Sequence, residues 1–239
     1  MHVVVVGPGK VGSCLAKALG DADLFGRGGP IPSADVVVLA VPPVALPDVI
    51  ARLPAGVPAL HTAGALGPDA LAPHSPRGVF HPLMTFPGPR TDLAGVPVRI
   101  DGDPIAVTAA RYLAVRLGMV PFSLPGDPVL YHAAAVMAGN FATVLLAQAA
   151  AVLAAAGISE PQAAALLAPL AEASIRNAAT DPAAALTGPA ARGDRSAADD
   201  HVDALERAGL FQQAEIYKSL SKIAFELANT RTNPDRDRT

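Results

Sequence analysis

The sequence is poor in cysteine and in charge. Its one cysteine, Cys14, excludes an intramolecular disulfide and a zinc site built from several cysteines, and it favours a reducing, cytoplasmic location. We predict no metal site. Charged residues make up 16% of the chain and the net charge is -3, so the basic surface typical of nucleic-acid-binding proteins is missing. The expected ligands are therefore small molecules and not nucleic acid.

A secretion signal and a membrane span are not expected either. The apolar run Val3–Val6 has no basic leader before it and no cleavage-site pattern after it. Residues 133–159 carry no charge and are long enough to cross a bilayer. This stretch is nevertheless rich in alanine, contains Asn140 and lacks basic anchors at its ends. We interpret it as the buried helix of a helical domain and expect no membrane association.

The chain has two parts with different sequence patterns. In the first, short apolar runs alternate with helical segments, which predicts an α/β Rossmann domain with a doubly wound parallel sheet. Its predicted strands cover residues 2–6, 22–25, 35–41, 57–61, 78–80, 96–100 and 119–122, and its helices residues 10–19 and 104–117. Alanine-rich helices follow, predicted at 129–156, 161–179, 197–208 and 210–229. The predicted organisation is a nucleotide-binding domain over 1–126, an all-α substrate and dimerisation domain over 127–229, and a flexible tail over 230–239.

A glycine-rich motif directly follows the first predicted strand and opens an amphipathic helix. This context is the one in which G-x-G-x-x-G binds the pyrophosphate of a dinucleotide. The helix N-terminus adds unpaired N–H groups that favour phosphate. The alternative is a glycine-rich turn without a ligand. The predicted cofactor-binding residues are Gly7, Pro8, Gly9, Lys10, Val11 and Gly12, with Val41 and Pro42 at the end of the third predicted strand.

The identity of the dinucleotide depends on the end of the second strand. An acidic residue there would bind the ribose hydroxyls of NAD, whereas an arginine suits the additional phosphate of NADP. Arg27 follows the predicted strand 22–25, so we expect NADP in preference to NAD. The alternative is a solvated loop arginine. The segment 28–33 is too short for the usual second helix of this fold.

Histidines stand where a substrate would be expected. His61 and His81 each end a predicted strand, at the sheet edge where ligands bind in open α/β sheets. His132 and Asn140 are eight residues apart on one predicted helix, about 80° around its axis. We predict His81 or His132 as the proton donor, Asn140 as a group that orients the substrate and His61 as a substrate contact. Each histidine could instead be structural, and Asn140 could bond a neighbouring carbonyl.

An arginine follows a break between two alanine-rich helices. In residues 186–194, LTGPAARGD, glycine and proline interrupt the helix, and Asp194 or Ser196 could cap the next one. Such a link needs only a helix break and a cap, and Arg192 provides neither. It could bind a substrate carboxylate through a bidentate fork, or it could pair with Asp194.

The motifs GPGKVG, HTAGA, HPLMTF, YHAAAVMAGN and LTGPAARGD, in this order, resemble one known family. The family comprises Rossmann-like proteins with a C-terminal domain of unknown function. They are relatives of the 6-phosphogluconate-dehydrogenase-like group, which includes ketopantoate and pyrroline-5-carboxylate reductases. The resemblance implies NADP-dependent reduction and a homodimer formed through the helical domain. Two positions depart from it: Ala63 replaces the family's usual serine, and Val136 stands where ketopantoate reductases have a catalytic lysine.

These observations predict an NADP(H)-dependent oxidoreductase. The reaction would transfer hydride to the carbon of a C=O or C=N group in a small, carboxylate-bearing substrate. Because Val136 replaces the lysine, the ketopantoate mechanism does not carry over unaltered. The missing lysine leaves an alternative open, a non-catalytic NADP(H)-binding sensor or scaffold protein.

Overall fold

The computed structural model describes residues 1–26, 28–89 and 91–232, with side chains up to residue 230. The chain divides into two compact units, the first Met1–Asn140 and the second from Phe141 onward. The division falls later than the predicted boundary at 126, because Tyr131 and His132 pack against His81 of the sheet. The last helix continues to Thr232, past the predicted start of the tail at residue 230, and residues 233–239 lie outside the described part.

The first unit is built on one seven-stranded sheet with the strand order β2-β1-β3-β4-β5-β6-β7. All seven predicted strands are confirmed, with shifted ends. The strands are β1 Val3–Val6, β2 Asp23–Phe25, β3 Val36–Leu39, β4 Ala59–His61, β5 Arg77–Pro82, β6 Pro97–Gly102 and β7 Val120–Phe122. The helices of this unit are α1 Lys10–Leu19, α2 Leu46–Ile50, α3 Pro104–Arg116 and α4 Pro128–Val136, with short 3-10 helices at Pro43–Ala45 and Pro68–Leu71.

The sequence predicted a sheet that is parallel throughout, but one of the observed strand pairs is antiparallel. Strand β6 pairs antiparallel with β5, and β7 then pairs parallel with β6. A parallel pairing needs a crossover, usually a helix, and the described residues between β5 and β6 contain none. In the observed register Arg99 of β6 lies opposite His81 of β5.

Apolar layers cover both faces of the sheet. On one face, Leu15 of α1 and Leu113 of α3 pack with Phe80 of β5 in one cluster of buried residues. On the other, α2 and the second 3-10 helix contribute Leu46 and Leu71 to a second cluster. Because both faces are buried, the inner strands are continuous apolar runs, the pattern that the sequence shows.

The second unit is helical. Its helices are α5 Ala142–Ala155, α6 Glu160–Ala178, α7 Pro182–Ala185, α8 Gly188–Arg192, α9 Arg195–Arg207 and α10 Phe211–Thr232. An apolar groove of about 790 Å³ within this unit is lined by residues of α5, α9 and α10, including Leu145, Leu205 and Ile216.

The predicted helix 129–156 is one helical stretch interrupted by a π turn at Met137–Phe141. Its predicted burial is wrong. Ala150 is the buried residue of α5, and α4 has none among its described residues. Apolar side chains such as Val144 and Leu145 are instead about half exposed. By length and composition alone, Pro128–Ala155 is the one helix of the described chain that could cross a membrane.

Candidate functional site

The glycine-rich turn between β1 and α1 has the close backbone contacts that its motif predicts. Gly7 has a φ of 112°, and a Cβ atom there would collide with the carbonyl of Ala40. A Cβ at Gly12 would collide with the Gly7 carbonyl. At Gly9 nothing lies within 4 Å of the point where a Cβ would stand, so the backbone is open to a ligand. The N–H of Gly7 donates to the Phe25 carbonyl at 2.9 Å, which holds the end of β2 beside the turn.

The N-terminus of α1 is free to bind an anion. Gly9 caps the helix without a side-chain hydrogen bond, and its first turn contains no acidic residue. Its first N–H groups and the helix dipole therefore favour a phosphate. Except for Gly12 and Arg27, every predicted cofactor residue lines one groove of about 590 Å³. The groove is formed by Gly7, Pro8, Gly9, Lys10, Val11, Ala40, Val41, Pro42 and Thr62. The residues present thus fit the diphosphate of a dinucleotide.

Arg27, the predicted NADP-selecting residue, lies outside the described residues. The neighbouring loop is held by another arginine, Arg52, which sequence reasoning missed. Its guanidinium donates to the carbonyl of Gly29 at 2.7 Å and to that of Asp48 at 3.1 Å. No local pattern in the sequence connects Arg52 with this loop, since the contact spans 23 positions along the chain.

His61, predicted as a substrate contact, has both ring nitrogens engaged. Nε2 lies 2.9 Å from the carbonyl oxygen of Gly67, and Nδ1 accepts from the N–H of Ala63 at 3.2 Å. The side chain is fully buried, and burial is the main cause that lowers the pKa of its imidazole. No ring nitrogen is left for a substrate, so the structure favours the structural alternative for His61. Its role is to hold the loop that follows β4.

His81 and His132 converge on that loop at Gly64. A Cβ atom built on Gly64 would lie 2.7 Å from His81 Nε2 and 2.7 Å from His132 Nδ1. The two rings stand edge to face with centroids 6.2 Å apart. His132 Nδ1 is buried and has no hydrogen-bond partner in the described part of the chain. The two predicted proton donors therefore form one cluster around Gly64. Gly64 lies two residues along the chain from Thr62 of the dinucleotide groove.

Tyr131 contacts the nitrogen of the His81 ring that is turned away from Gly64. Its hydroxyl lies 2.7 Å from His81 Nδ1. The pKa of His81 is lowered to about 4, first by burial and then by the charges of His132, Arg99 and His61. His81 is consequently neutral at pH 7. Burial also raises the pKa of the Tyr131 hydroxyl, so this side chain is neutral as well.

A buried ion pair lies against this cluster. Arg99, only 3% exposed, binds Asp101 at 2.6 Å and donates to the Gly64 carbonyl at 3.0 Å. Its guanidinium lies 5.4 Å from the centroid of the Tyr131 ring, within cation–π range. Asp101 also accepts from Ser123 at 2.7 Å. Sequence reasoning missed Arg99, Asp101 and Tyr131, although two charges spaced by two on one face of an apolar strand were a usable signal.

The segment that carries Arg99, His132 and Asn140 also identifies the family. Residues 96–224 match the family model described as Domain of unknown function, DUF2520. The chain belongs to the DUF2520 family. This confirms the resemblance inferred from the sequence motifs. A search of curated proteins finds no significant match.

Solved structures share the fold of this DUF2520 protein. The Thermotoga maritima protein TM1727 is 21% identical, with a TM-score of 0.77 over 97% of this chain and 100% of the other. BF3122 of Bacteroides fragilis, provisionally described as an NADP oxidoreductase, is 22% identical, with a TM-score of 0.77 over 94% of this chain and 97% of the other. Pyrroline carboxylate reductase of Plasmodium falciparum, solved with NADP bound, is 13% identical, with a TM-score of 0.59 over 95% of this chain and 98% of the other. These similarities confirm a Rossmann-like fold with a helical second half.

Two predicted substrate residues of the DUF2520 segment are exposed. Asn140 lies on the π turn, which breaks the regular α-helical spacing from His132 on which its predicted direction depended. Arg192 ends α8 in the second unit, and Asp194 caps α9 by accepting from the N–H of Ala197. The described ion pairs do not include one between Arg192 and Asp194. Binding of substrate by Asn140 and Arg192 stays a prediction.

A metal site is not supported by the described side chains. No group of three or more histidine, cysteine, aspartate or glutamate residues among them could hold an ion. Cys14 is buried, with its thiol 3.5 Å from the Thr91 carbonyl.

Proposed function

We propose that this DUF2520 protein is an NADP(H)-dependent oxidoreductase that reduces a C=O or C=N group of a small, carboxylate-bearing substrate. The observation that carries the proposal is the adjacency of two sites in the first unit. The loop after β4 contributes Thr62 to the dinucleotide groove and Gly64 to the histidine cluster. Both sites lie at the carboxyl ends of parallel strands, where open α/β sheets bind ligands.

The cofactor of this proposal is NADP(H), with NAD(H) as the weaker ligand. The reduced nicotinamide would supply the hydride. Gly9 and the N-terminus of α1 would bind the diphosphate, and Arg27 would bind the additional phosphate of NADP. The solved relatives whose descriptions include NADP support this choice by analogy of fold.

The histidine cluster would handle the proton of the reaction. His81 and His132 lie against the same glycine, and His132 Nδ1 is a buried polar atom without a partner in the described chain. A buried polar group without a partner costs free energy that a bound substrate can recover. His81 is proposed as the donor because its Nδ1 is already paired with Tyr131 and only Nε2 faces Gly64.

We also propose a homodimer in a reducing, cytoplasmic location. The helix Pro128–Ala155 and the groove of the second unit leave apolar side chains exposed, including Leu145, Leu220 and Ile223. Contiguous apolar surface of this kind marks an interaction site. Light scattering behind size exclusion should give twice the chain mass of 24.1 kDa, and Leu145→Asp should shift the protein towards the monomer. A monomeric wild-type protein would refute the dimer.

The function is tested by fluorescence titration of the protein with NADPH and with NADH. NADPH should bind more tightly, and Arg27→Ala should weaken NADPH binding selectively. Arg111→Ala, which removes an exposed arginine of α3, is the matched control and should bind both nucleotides as the wild type does. Gly9→Asp adds a carboxylate in open space at the phosphate position, so it should abolish binding without disturbing the fold.

Bound NADPH then allows a screen for turnover, in which 2-oxo acids and cyclic imines are offered as oxidants of the nucleotide. Nucleotide binding without turnover in any assay would favour the sensor or scaffold alternative. If neither nucleotide bound to the wild-type protein, the proposed function would be wrong.

A further inference from the structure

The hydrogen bond between Tyr131 and His81 determines which nitrogen of the histidine carries its proton. A phenol hydroxyl is a ready donor, and the unprotonated nitrogen of a neutral imidazole is its acceptor. A hydroxyl that donates across the 2.7 Å between Tyr131 Oη and His81 Nδ1 requires an unprotonated Nδ1. The ring proton of His81 then resides on Nε2. This is the nitrogen that faces Gly64 and His132.

The position of Nε2 suits contact with a ligand atom. Because Gly64 has no side chain, both histidine rings approach its backbone closely: a Cβ atom there would stand 2.7 Å from His81 Nε2 and 2.7 Å from the partnerless His132 Nδ1. A substrate oxygen placed between these two nitrogens would accept from His81 Nε2–H. If protonated, the same oxygen could also donate to His132 Nδ1.

The charges around the pair favour an atom that gains negative charge. Arg99 from β6 lies over the Tyr131 ring, while His132 on α4 and His61 on β4 are the other titratable groups that face His81. Among the described residues, Asp101 is the carboxylate that binds into this cluster, and its oxygens already bind Arg99 and Ser123. The surroundings are therefore suited to a developing oxyanion and unsuited to a cationic iminium group.

We propose that Tyr131 and His81 form a proton relay that delivers a proton to the oxygen of a carbonyl substrate. This inference rests on the proposed function, which supplies the hydride donor. When the carbonyl carbon gains a hydride, the C=O π bond breaks and its electron pair moves to oxygen. The oxygen takes the proton of His81 Nε2, and His81 Nδ1 takes the hydroxyl proton of Tyr131. After the product leaves, water protonates His81 Nε2 and Nδ1 returns its proton to the Tyr131 oxygen, which restores the starting tautomer.

Arg99 has a positioning role in the relay. Its guanidinium stands over the ring of Tyr131, where a positive charge stabilises the transient tyrosinate. Asp101 fixes that guanidinium through the 2.6 Å ion pair. The relay therefore assigns a function to three residues, Tyr131, Arg99 and Asp101, that the sequence motifs do not single out.

The test is ¹⁵N NMR of the histidine side chains, which distinguishes the Nδ1–H and Nε2–H tautomers without any substrate. His81→Gln identifies the signals of His81 among the six histidines of the chain. In the wild type, His81 should be the Nε2–H tautomer, and in Tyr131→Phe both tautomers should be populated. The matched control is Tyr217→Phe, which removes a hydroxyl that bonds His201 Nδ1 at the same 2.7 Å. It should leave the His81 signals unchanged.

A wild-type His81 in the Nδ1–H form would overturn the relay, because the proton would then point at Tyr131. An Nε2–H form that persists unchanged in Tyr131→Phe would overturn the role of Tyr131. NADPH titration of Tyr131→Phe separates this failure from that of the proposed function, since the relay requires no change in nucleotide affinity.

Turnover provides a second readout once a carbonyl substrate oxidises NADPH. Tyr131→Phe should lower kcat about 100-fold or more with KM for NADPH unchanged, the range typical of general acid catalysis. Tyr217→Phe should retain the wild-type kcat. A Tyr131→Phe protein with wild-type kcat, or reduction of cyclic imines without any reduction of 2-oxo acids, would overturn the proposal.

Discussion

The chain contains two tyrosine–histidine pairs of nearly the same local geometry. In the first unit, the Tyr131 hydroxyl lies 2.7 Å from His81 Nδ1, with ring centroids 5.5 Å apart and planes at 84°. In the second, the Tyr217 hydroxyl lies 2.7 Å from His201 Nδ1, with centroids 5.6 Å apart and planes at 86°. The two pairs differ in what surrounds them.

The first pair is partly buried over an arginine that is 3% exposed. In the second, His201 is exposed and Tyr217 is half-buried, both line the apolar groove of the second unit, and Lys218, the residue after Tyr217, pairs with surface glutamates. Burial is the main cause that lowers the pKa of His81 to about 4, so the ring is neutral where it packs against Gly64. The hydrogen bond alone therefore does not distinguish the proposed relay pair from the other pair. The chemistry proposed for the relay pair comes from desolvation and from the fixed charge beside it.

The largest difference between the pairs is expected on removing the neighbouring cation. Arg99→Met leaves Asp101 as a buried carboxylate without its partner, so the free energy of unfolding should fall by about 3–5 kcal/mol. Lys218→Met, at the position that follows Tyr217, should lower it by less than about 1 kcal/mol, because surface ion pairs contribute little. Urea denaturation of both variants measures the two values. Equal losses would contradict the distinction between the two environments.

A smaller effect is expected from filling the space beside the buried pair. Gly64→Ala places a Cβ atom 2.7 Å from His81 Nε2 and from His132 Nδ1, so one or both rings must move. The overpacking should cost about 1–3 kcal/mol in the free energy of unfolding and shift the NMR signals of both histidines. Gly126→Ala is the control, since nothing lies within 4 Å of its Cβ position. Unmoved histidine signals in Gly64→Ala would show that the two rings pack less closely against Gly64 than described.

The buried pair should also make stability depend on pH. The pKa of His81 falls from 6.5 in the unfolded chain to about 4 in the folded one, so the unfolded state binds more protons between these values. The stabilisation is therefore complete above pH 6.5 and is lost as the pH falls towards 4. Between pH 7 and pH 5 His81 alone should account for about 2 kcal/mol of lost unfolding free energy.

Urea denaturation at both pH values measures this loss, and His81→Gln should reduce it. His61, whose pKa is lowered by burial, retains a loss of the same sign in that variant. A wild-type protein equally stable at pH 5 and pH 7 would exclude a low pKa for His81.

The smallest effect is expected at Ser123, which is linked to the buried pair only through Asp101 and Arg99. Ser123→Ala removes the hydroxyl that donates to Asp101 at 2.7 Å, and about 1 kcal/mol of unfolding free energy should be lost. Ser174→Ala removes a comparable hydroxyl from the exposed face of α6 and should change the stability by less than about 0.5 kcal/mol. A loss in Ser123→Ala as small as in Ser174→Ala would mean that Asp101 does not depend on this bond.

Local patterns predicted most of the fold. The strands β1 and β3 are apolar runs because both their faces are buried, and α1 begins and ends where its periodicity indicates. The direction of β6 was missed, because the length of the β5–β6 connection does not reveal whether it contains a crossover helix. The burial of the helix Pro128–Ala155 was mispredicted because its apolar composition does not specify what covers it.

The candidate site shows the same contrast between local features, which could be predicted, and long-range contacts, which could not. The glycine-rich turn is local, so its residues could be assigned from a six-residue motif. The proximity of His81 and Tyr131, 50 positions apart, depends on how α4 packs on the sheet. That of His81 and Arg99 depends on strand register. Neither arrangement is encoded in residue spacing, and for this reason the histidines were found and their partners were not.

The reversed strand β6 has a consequence for how such proteins diversify. His81 and Arg99 lie on adjacent antiparallel strands whose backbones are hydrogen-bonded to each other. Changes in the length or sequence of the connection between those strands leave this pairing in place. Selection can therefore remodel that connection while the proposed relay residues keep their relative positions.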